Sequence, residues 1–218
     1  MQTYVPLMMN VSGRLCIIIG GGLVAERKAF SLLDAAAEVR IVSPALSERL
    51  HSLFLEEALE WIQRGYREGD LEGAFLVYAA TDTPEINDAV VAEANRLGIP
   101  VNHAGDGGRG SFITPSVLRR GKLVLSVSAS GSGPAAASRL CREIDEACGD
   151  DYELYLDAMA MARTLVKAQV RDHHRRSVLL EAIRDMDMLT QIRQGTFTPW
   201  SEEEWMNWIE SYREDDEA

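Results

Sequence analysis

Gly20-Gly21-Gly22-Leu23-Val24-Ala25 fits the pattern G-x-G-x-x-A. The chemistry such a turn performs is the binding of a pyrophosphate. Gly20 permits the tight turn, Gly22 lets the backbone approach the phosphates, and Ala25 allows close helix–strand packing. Leu23 and Val24 open the following helix, whose free N–H groups and dipole favour an anion. The turn follows a short apolar strand directly, and that context separates it from a merely structural glycine turn. The acidic residue that usually holds a ribose at the end of the second strand is absent; Ser43 and Pro44 stand there. The Ser43 hydroxyl or the Ser43–Pro44 backbone must then hold the ribose. No Arg sits just after that strand to receive a 2′-phosphate, which mildly favours NAD over NADP. Thr81 and Asp82, in Ala79-Ala80-Thr81-Asp82, should border the same cofactor, with small neighbours leaving room for it.

Positioning such a turn requires alternating strands and helices. Residues 14–20 form a continuous apolar run ending in glycine, which suits a strand buried on both faces. The spacing then predicts a helix over 23–33, a strand over 38–43, a helix over 47–58 and a strand over 59–63. A strand over 74–80, a helix over 84–97 and a strand over 99–102 follow. In the helix over 84–97, Ile86, Ala89, Val90 and Ala94 should face inward. A glycine-rich loop and a turn at Thr114–Pro115 lead to a sixth strand over 123–128. The alternation indicates an α/β protein with a doubly wound parallel sheet. Beyond Pro134 the pattern is helical, over 135–147, 152–170 and 175–194. Met159, Met161, Met186 and Met188 read as core filling. Ser201 and Glu204 fit a capping box, with Trp200 and Trp205 as a hydrophobic staple; Trp205, Trp208, Ile209 and Tyr212 then share a face.

The chain has 218 residues and a net charge of -12. Such acidity argues against general binding of nucleic acid or of an anionic membrane. No apolar run reaches membrane-span length, and the N-terminus lacks a basic leader, so a cytoplasmic location is expected. Cys16, Cys141 and Cys148 have no metal or disulfide spacing and read as thiols in a reducing compartment. His173 and His174 are adjacent on a helix and point apart, so they read as solvated, and no metal site is expected. The charge is uneven. Residues 101–142 carry six basic side chains and one acidic one, whereas residues 202–218 carry one basic and eight acidic. The basic island, interleaved with glycines, reads as an anion-binding region.

Four segments together resemble a known family: residues 20–28 (GGGLVAERK), 79–82 (AATD), 111–115 (SFITP) and 134–140. In order and spacing they are similar to the N-terminal domains of siroheme synthases, the precorrin-2 dehydrogenase and sirohydrochlorin ferrochelatase proteins. The resemblance covers residues 4–194, nearly the whole chain. It implies an NAD-binding Rossmann domain over 1–113, a dimerisation and substrate region over 114–148, and a small helical domain over 149–218 ending in an acidic tail. It also implies a homodimer that oxidises precorrin-2 to sirohydrochlorin with NAD⁺, with Fe²⁺ insertion by some members. The basic island suits a substrate with eight carboxylates. The expected substrate contacts are Asn102, Arg109, Ser128, Ser130, Ser132 and Arg139.

Two departures stand out. The resemblance implies a carboxylate as acid/base group after the fifth strand, where this chain has Asn102-His103-Ala104-Gly105-Asp106. Gly105 occupies the acidic position, which leaves Asp106 or His103 to stand in. Both have plainer readings, His103 as a satisfied histidine at a strand end and Asp106 as a loop cap. The family's Ser before proline is Gly133. Dehydrogenation is therefore expected to survive, with ferrochelatase activity weak or absent. A catalytically degenerate NAD- or tetrapyrrole-binding protein is the alternative. A short-chain dehydrogenase is disfavoured, because Tyr78, Tyr152 and Tyr155 are not followed by Lys four residues on.

Overall fold

The computed structural model describes residues 4–129 and 133–212. They fall into two compact units, Met1–Thr114 and Pro115–Ala218. The expected sections 114–148 and 149–218 both lie within the second, apart from residue 114.

In the first unit, β1 (Leu15–Ile19), β2 (Glu38–Val42), β3 (Glu60–Ile62), β4 (Leu76–Ala79) and β5 (Val101–His103) form one parallel sheet. Its order is β3-β2-β1-β4-β5. The alternating side chains of β1 explain its unbroken apolar run. Cys16 and Ile18 pack on the face shared with α1 (Leu23–Leu33) and α2 (Glu48–Leu55), whereas Ile17 and Ile19 pack with α3 (Pro84–Leu97) on the other. Both faces are covered, so each β1 side chain from Cys16 to Ile19 is buried. Ile19 aligns with Val42 and with Ala79. That register brings Gly20, Ser43 and Ala80 to one edge of the sheet. On α3 the inward face differs from expectation. Ala89 is exposed, and Asn87, Val91 and Glu93 are buried beside Val90 and Ala94.

The second unit opens with a hairpin, β6 (Ser116–Arg120) and β7 (Leu123–Val127), paired antiparallel. The sixth strand of the sequence reading therefore does not join the parallel sheet. Its partner β6 was missed because its alternation is short and ends in two arginines. Gly121, at φ +50, begins the two-residue turn and was the local signal. The helices α4 (Pro134–Ala147), α5 (Asp151–Gln169), α6 (His173–Asp185), α7 (Met188–Arg193) and α8 (Glu202–Ser211) follow. The expected helix over 175–194 is broken, because Met186 is extended (φ -62, ψ 130). No Pro or Gly marks this break; it lets Met186 and Met188 both pack against the helical core. Met161 is 45% exposed and does not fill the core, unlike Met159, Met186 and Met188. The Ser201–Glu204 capping box forms, and the Trp200 and Trp205 ring centroids lie 4.5 Å apart with their planes tilted by 56°.

Candidate functional site

The carboxyl ends of β1, β2 and β4 open onto a cleft of about 770 Å³. This is the crevice where strand order reverses about β1, the usual ligand position in such sheets. Gly20, Gly22, Leu23, Val24, Ser43, Pro44, Thr81 and Asp82 all line it.

The three glycines serve three different ends. Gly20 has φ +124, and a Cβ there would lie 2.3 Å from the Ala80 carbonyl oxygen. Gly21 has an ordinary φ, but its Cβ would lie 2.0 Å from the Ala45 oxygen. The backbone of loop 43–47 therefore rests directly on the turn, and the Ser47 amide donates to the Gly21 oxygen at 2.8 Å. A Cβ on Gly22 would meet no protein atom within 4 Å. Gly22 caps α1 without a side-chain bond, and the first-turn amides of α1 have no intrahelical acceptor. Open space, free amides and a helix N-terminus coincide there, so the cradle fits a pyrophosphate.

Side chains hold the surrounding loops. Glu26, buried on α1, accepts hydrogen bonds from the Ser47 hydroxyl (2.7 Å) and Arg49 Nη1 (3.0 Å). Asn87 accepts from the Thr81 amide at 3.1 Å and donates to the Thr81 oxygen at 3.0 Å, which pins the turn after β4. Neither Glu26 nor Asn87 was picked out in the sequence, because a buried polar anchor shows there only as a polar residue on a helix. The Ser43 hydroxyl donates to the Ala45 oxygen at 2.7 Å. It closes its own turn, and only its acceptor capacity is left for a ribose. Lys28 sits over the Tyr78 ring, 5.2 Å from its centroid. Burial, and then the charge of Arg27, lowers its pKa to about 8.

The loop after β5 is a separate arrangement. His103 is buried, and its Nδ1 accepts from the amides of Gly105 (3.2 Å) and Asp106 (2.9 Å). The ring proton therefore sits on Nε2, which has no hydrogen-bond partner; Asp88 Oδ1 is 3.8 Å away. With its lone pair occupied, His103 organises the loop and is not poised as a base. Asp106 is exposed, and its Oδ1 accepts from the Gly108 amide at 2.9 Å. Asn102 is buried and donates to the Phe112 oxygen at 3.0 Å. Arg109 is ion-paired with Asp88.

In the second unit, Ser128 is exposed just after β7, and Arg139 pairs with Glu143 one turn along α4. Ser130 and Ser132 lie outside the described residues. The basic island is largely neutralised from within. Arg120 binds Asp145 and Asp150, and Lys122 binds Asp157. Among the described residues, Arg119 and Arg142 are its cations without an ion pair. His173 and His174 are exposed, and Asp172 caps α6. No group of three potential metal ligands occurs among the described residues. Among them, no helix is long and apolar enough to cross a membrane.

Residues 7–116 match the NAD(P)-binding family model NAD_binding_7. The chain belongs to this NAD(P)-binding family. It is similar to siroheme synthase 1 of Aeromonas salmonicida (strain A449), with 37% identity over 189 residues, 86% of this chain and 40% of that protein. It is 36% identical over 180 residues to the siroheme synthase of Stutzerimonas stutzeri (strain A1501), covering 83% of this chain and 39% of that protein. The chain thus spans about two fifths of the length of these relatives. A solved structure, SirC, precorrin-2 dehydrogenase, superposes with a TM-score of 0.75 at 23% identity. That match covers 96% of this chain and all of the other, so the fold is shared across both units.

Proposed function

We propose that this chain oxidises precorrin-2 to sirohydrochlorin with NAD⁺, in the synthesis of siroheme or another modified tetrapyrrole. The observation that carries this reading is the length of the similarity. Identity to siroheme synthases runs over 180 residues or more, beyond the family model that ends at residue 116. A general dinucleotide fold accounts for the first unit and leaves likeness in the second unexplained.

When bound, NAD⁺ accepts the hydride leaving the macrocycle, and a proton leaves with it. Gly20, Gly22 and the opening amides of α1, at Leu23 and Val24, hold the pyrophosphate. Ser43, Pro44, Thr81 and Asp82 border the rest of the cofactor. Asp106 is the proton acceptor, because its carboxylate is exposed whereas the His103 lone pair is taken. Metal insertion asks more of a positioned base, and Gly105 offers none, so ferrochelatase activity is weak or absent. The working form is a homodimer in the cytoplasm.

The test is NADH formation from precorrin-2 under anaerobic conditions. Asp106→Ala is expected to lower kcat at least tenfold, and His103→Gln to act mainly on stability. Gly105→Asp is expected to add iron insertion, since Gly105 lacks a positive φ and its Cβ would meet only the His103 ring, at 3.4 Å. Wild-type kcat in Asp106→Ala would remove that residue from the mechanism. The crowding of the His103 lone pair and the glycine at position 105 also favour a second reading, a binder that has lost catalysis. NAD⁺ and tetrapyrrole binding without NADH formation would establish it. Sedimentation at micromolar concentration checks the dimer.

A further inference from the structure

The segment after β3 reaches the cleft without any sequence motif to announce it. Gly65 and Tyr66 line the cavity beside Pro44, Leu46 and Ile86. This is the β2 side of the glycine turn, where a Rossmann fold places the adenosine half of a dinucleotide. Tyr66 is anchored there through its hydroxyl and its loop. Its hydroxyl donates to Glu93, a carboxylate on α3 that is only 3% exposed. The other oxygen of Glu93 accepts from the Gly69 amide at 2.9 Å. Arg64 grips Asp70 with two bonds of 2.7 and 2.6 Å, and Asp70 also takes the Arg67 amide at 2.8 Å. Residues 64–70 therefore form a loop closed on itself and anchored to α3. Burial, and then Glu93, raises the Tyr66 phenol, so it stays a neutral donor.

We propose that Tyr66 is the fixed aromatic wall of the adenosine subsite, with Glu93 as its positioning residue. The proposal rests on the NAD-dependent reading above. A ring already immobilised loses little freedom when a base stacks on it.

The experiment is calorimetric titration of the whole chain with NAD⁺ and ADP-ribose. Tyr66→Ala should weaken NAD⁺ and ADP-ribose in parallel, about tenfold, the range of one lost base–aromatic stack. Tyr66→Phe keeps the ring and should lose less than threefold, while melting earlier because Glu93 loses a partner. In turnover, Tyr66→Ala should raise the KM for NAD⁺ and spare kcat. Equal losses in Tyr66→Phe and Tyr66→Ala would show that the hydroxyl anchor, and not the ring, matters, and would overturn the wall. Unchanged ADP-ribose binding in Tyr66→Ala would also overturn it. A wild-type chain that binds neither NAD⁺ nor ADP-ribose would instead remove the cofactor reading itself.

Discussion

The glycine turn after β1 and the loop after β5 end two strands of one sheet with β4 between them, yet they are held by opposite means. The turn at 20–22 is set by backbone against backbone. Ala80 and Ala45 carbonyls occupy the places where Gly20 and Gly21 would carry a Cβ, and only Gly22 faces open space. The loop at 103–110 is set by side chains: His103 takes two amides, Asn102 reaches the Phe112 oxygen, and Arg109 crosses to Asp88. The difference teaches where this fold tolerates change. A backbone-packed cradle accepts no side chain and keeps its chemistry generic. A loop tied by side chains closes with a glycine at position 105.

The largest effect expected from this contrast is in Gly21→Ala. Its Cβ would clash with backbone and cannot be accommodated by a rotamer change, so a loss of about 3 kcal/mol or more is expected, read by urea denaturation. A change below about 1 kcal/mol would mean that loop 43–47 is not packed as described.

Gly22→Ala should separate binding from folding. Melting should stay within about 2 °C of wild type. NAD⁺ affinity should fall about tenfold, a cost of about 1.4 kcal/mol. Equal losses at Gly21 and Gly22 would erase the distinction between a structural and a ligand-facing glycine.

On the other side, Asn102→Ala leaves the Phe112 carbonyl without its donor. A loss of about 1–2 kcal/mol is expected, with NAD⁺ affinity unchanged. A calorimetric drop in NAD⁺ affinity there would show that the two loops are coupled.

Lys28 offers the smallest effect and a defined sign. Its folded pKa of about 8 lies below the ordinary 10.5, so between those values the unfolded chain holds more protons. Stability from this group therefore rises as pH goes from about 8 to about 10.5, and its cost is fully present below pH 8. Cys16, pushed up to about 11, and the raised phenols of Tyr66 and Tyr78 act in the opposite direction at alkaline pH. Subtracting the curves of wild type and Lys28→Met isolates the lysine. Their gap should narrow steadily from pH 8 to 10.5. A constant gap would place the amine in solvent.

Much of the nucleotide half was legible in the order of residues. The apolar run before Gly20, the G-x-G-x-x-A turn and the alternation of strands with helices are local patterns, and each constrains the backbone within a few residues. The eight positions named from them line one cleft because the parallel register aligns Ile19, Val42 and Ala79. The other half read less well. Asn102 and Arg109 looked like substrate contacts, and the folded chain gives both of them protein partners. The basic island looked available, and carboxylates distant in sequence neutralise most of it. Asn87, Tyr66 and Glu93 carried no motif, and Glu26 stood in one without a role of its own, because a buried polar anchor is defined by its partner and not by its neighbours in the chain.

The sequence alone determined the class of sheet and its glycine-rich turn, since these depend on residue type and short spacing. Tertiary structure decided which polar groups are spent and which are free. Hydrogen bonds and ion pairs between residues some twenty to thirty positions apart consume the Ser47 hydroxyl, the Tyr66 hydroxyl and the Arg120 guanidinium. Such pairing depends on how the chain folds back on itself, and no local pattern records it.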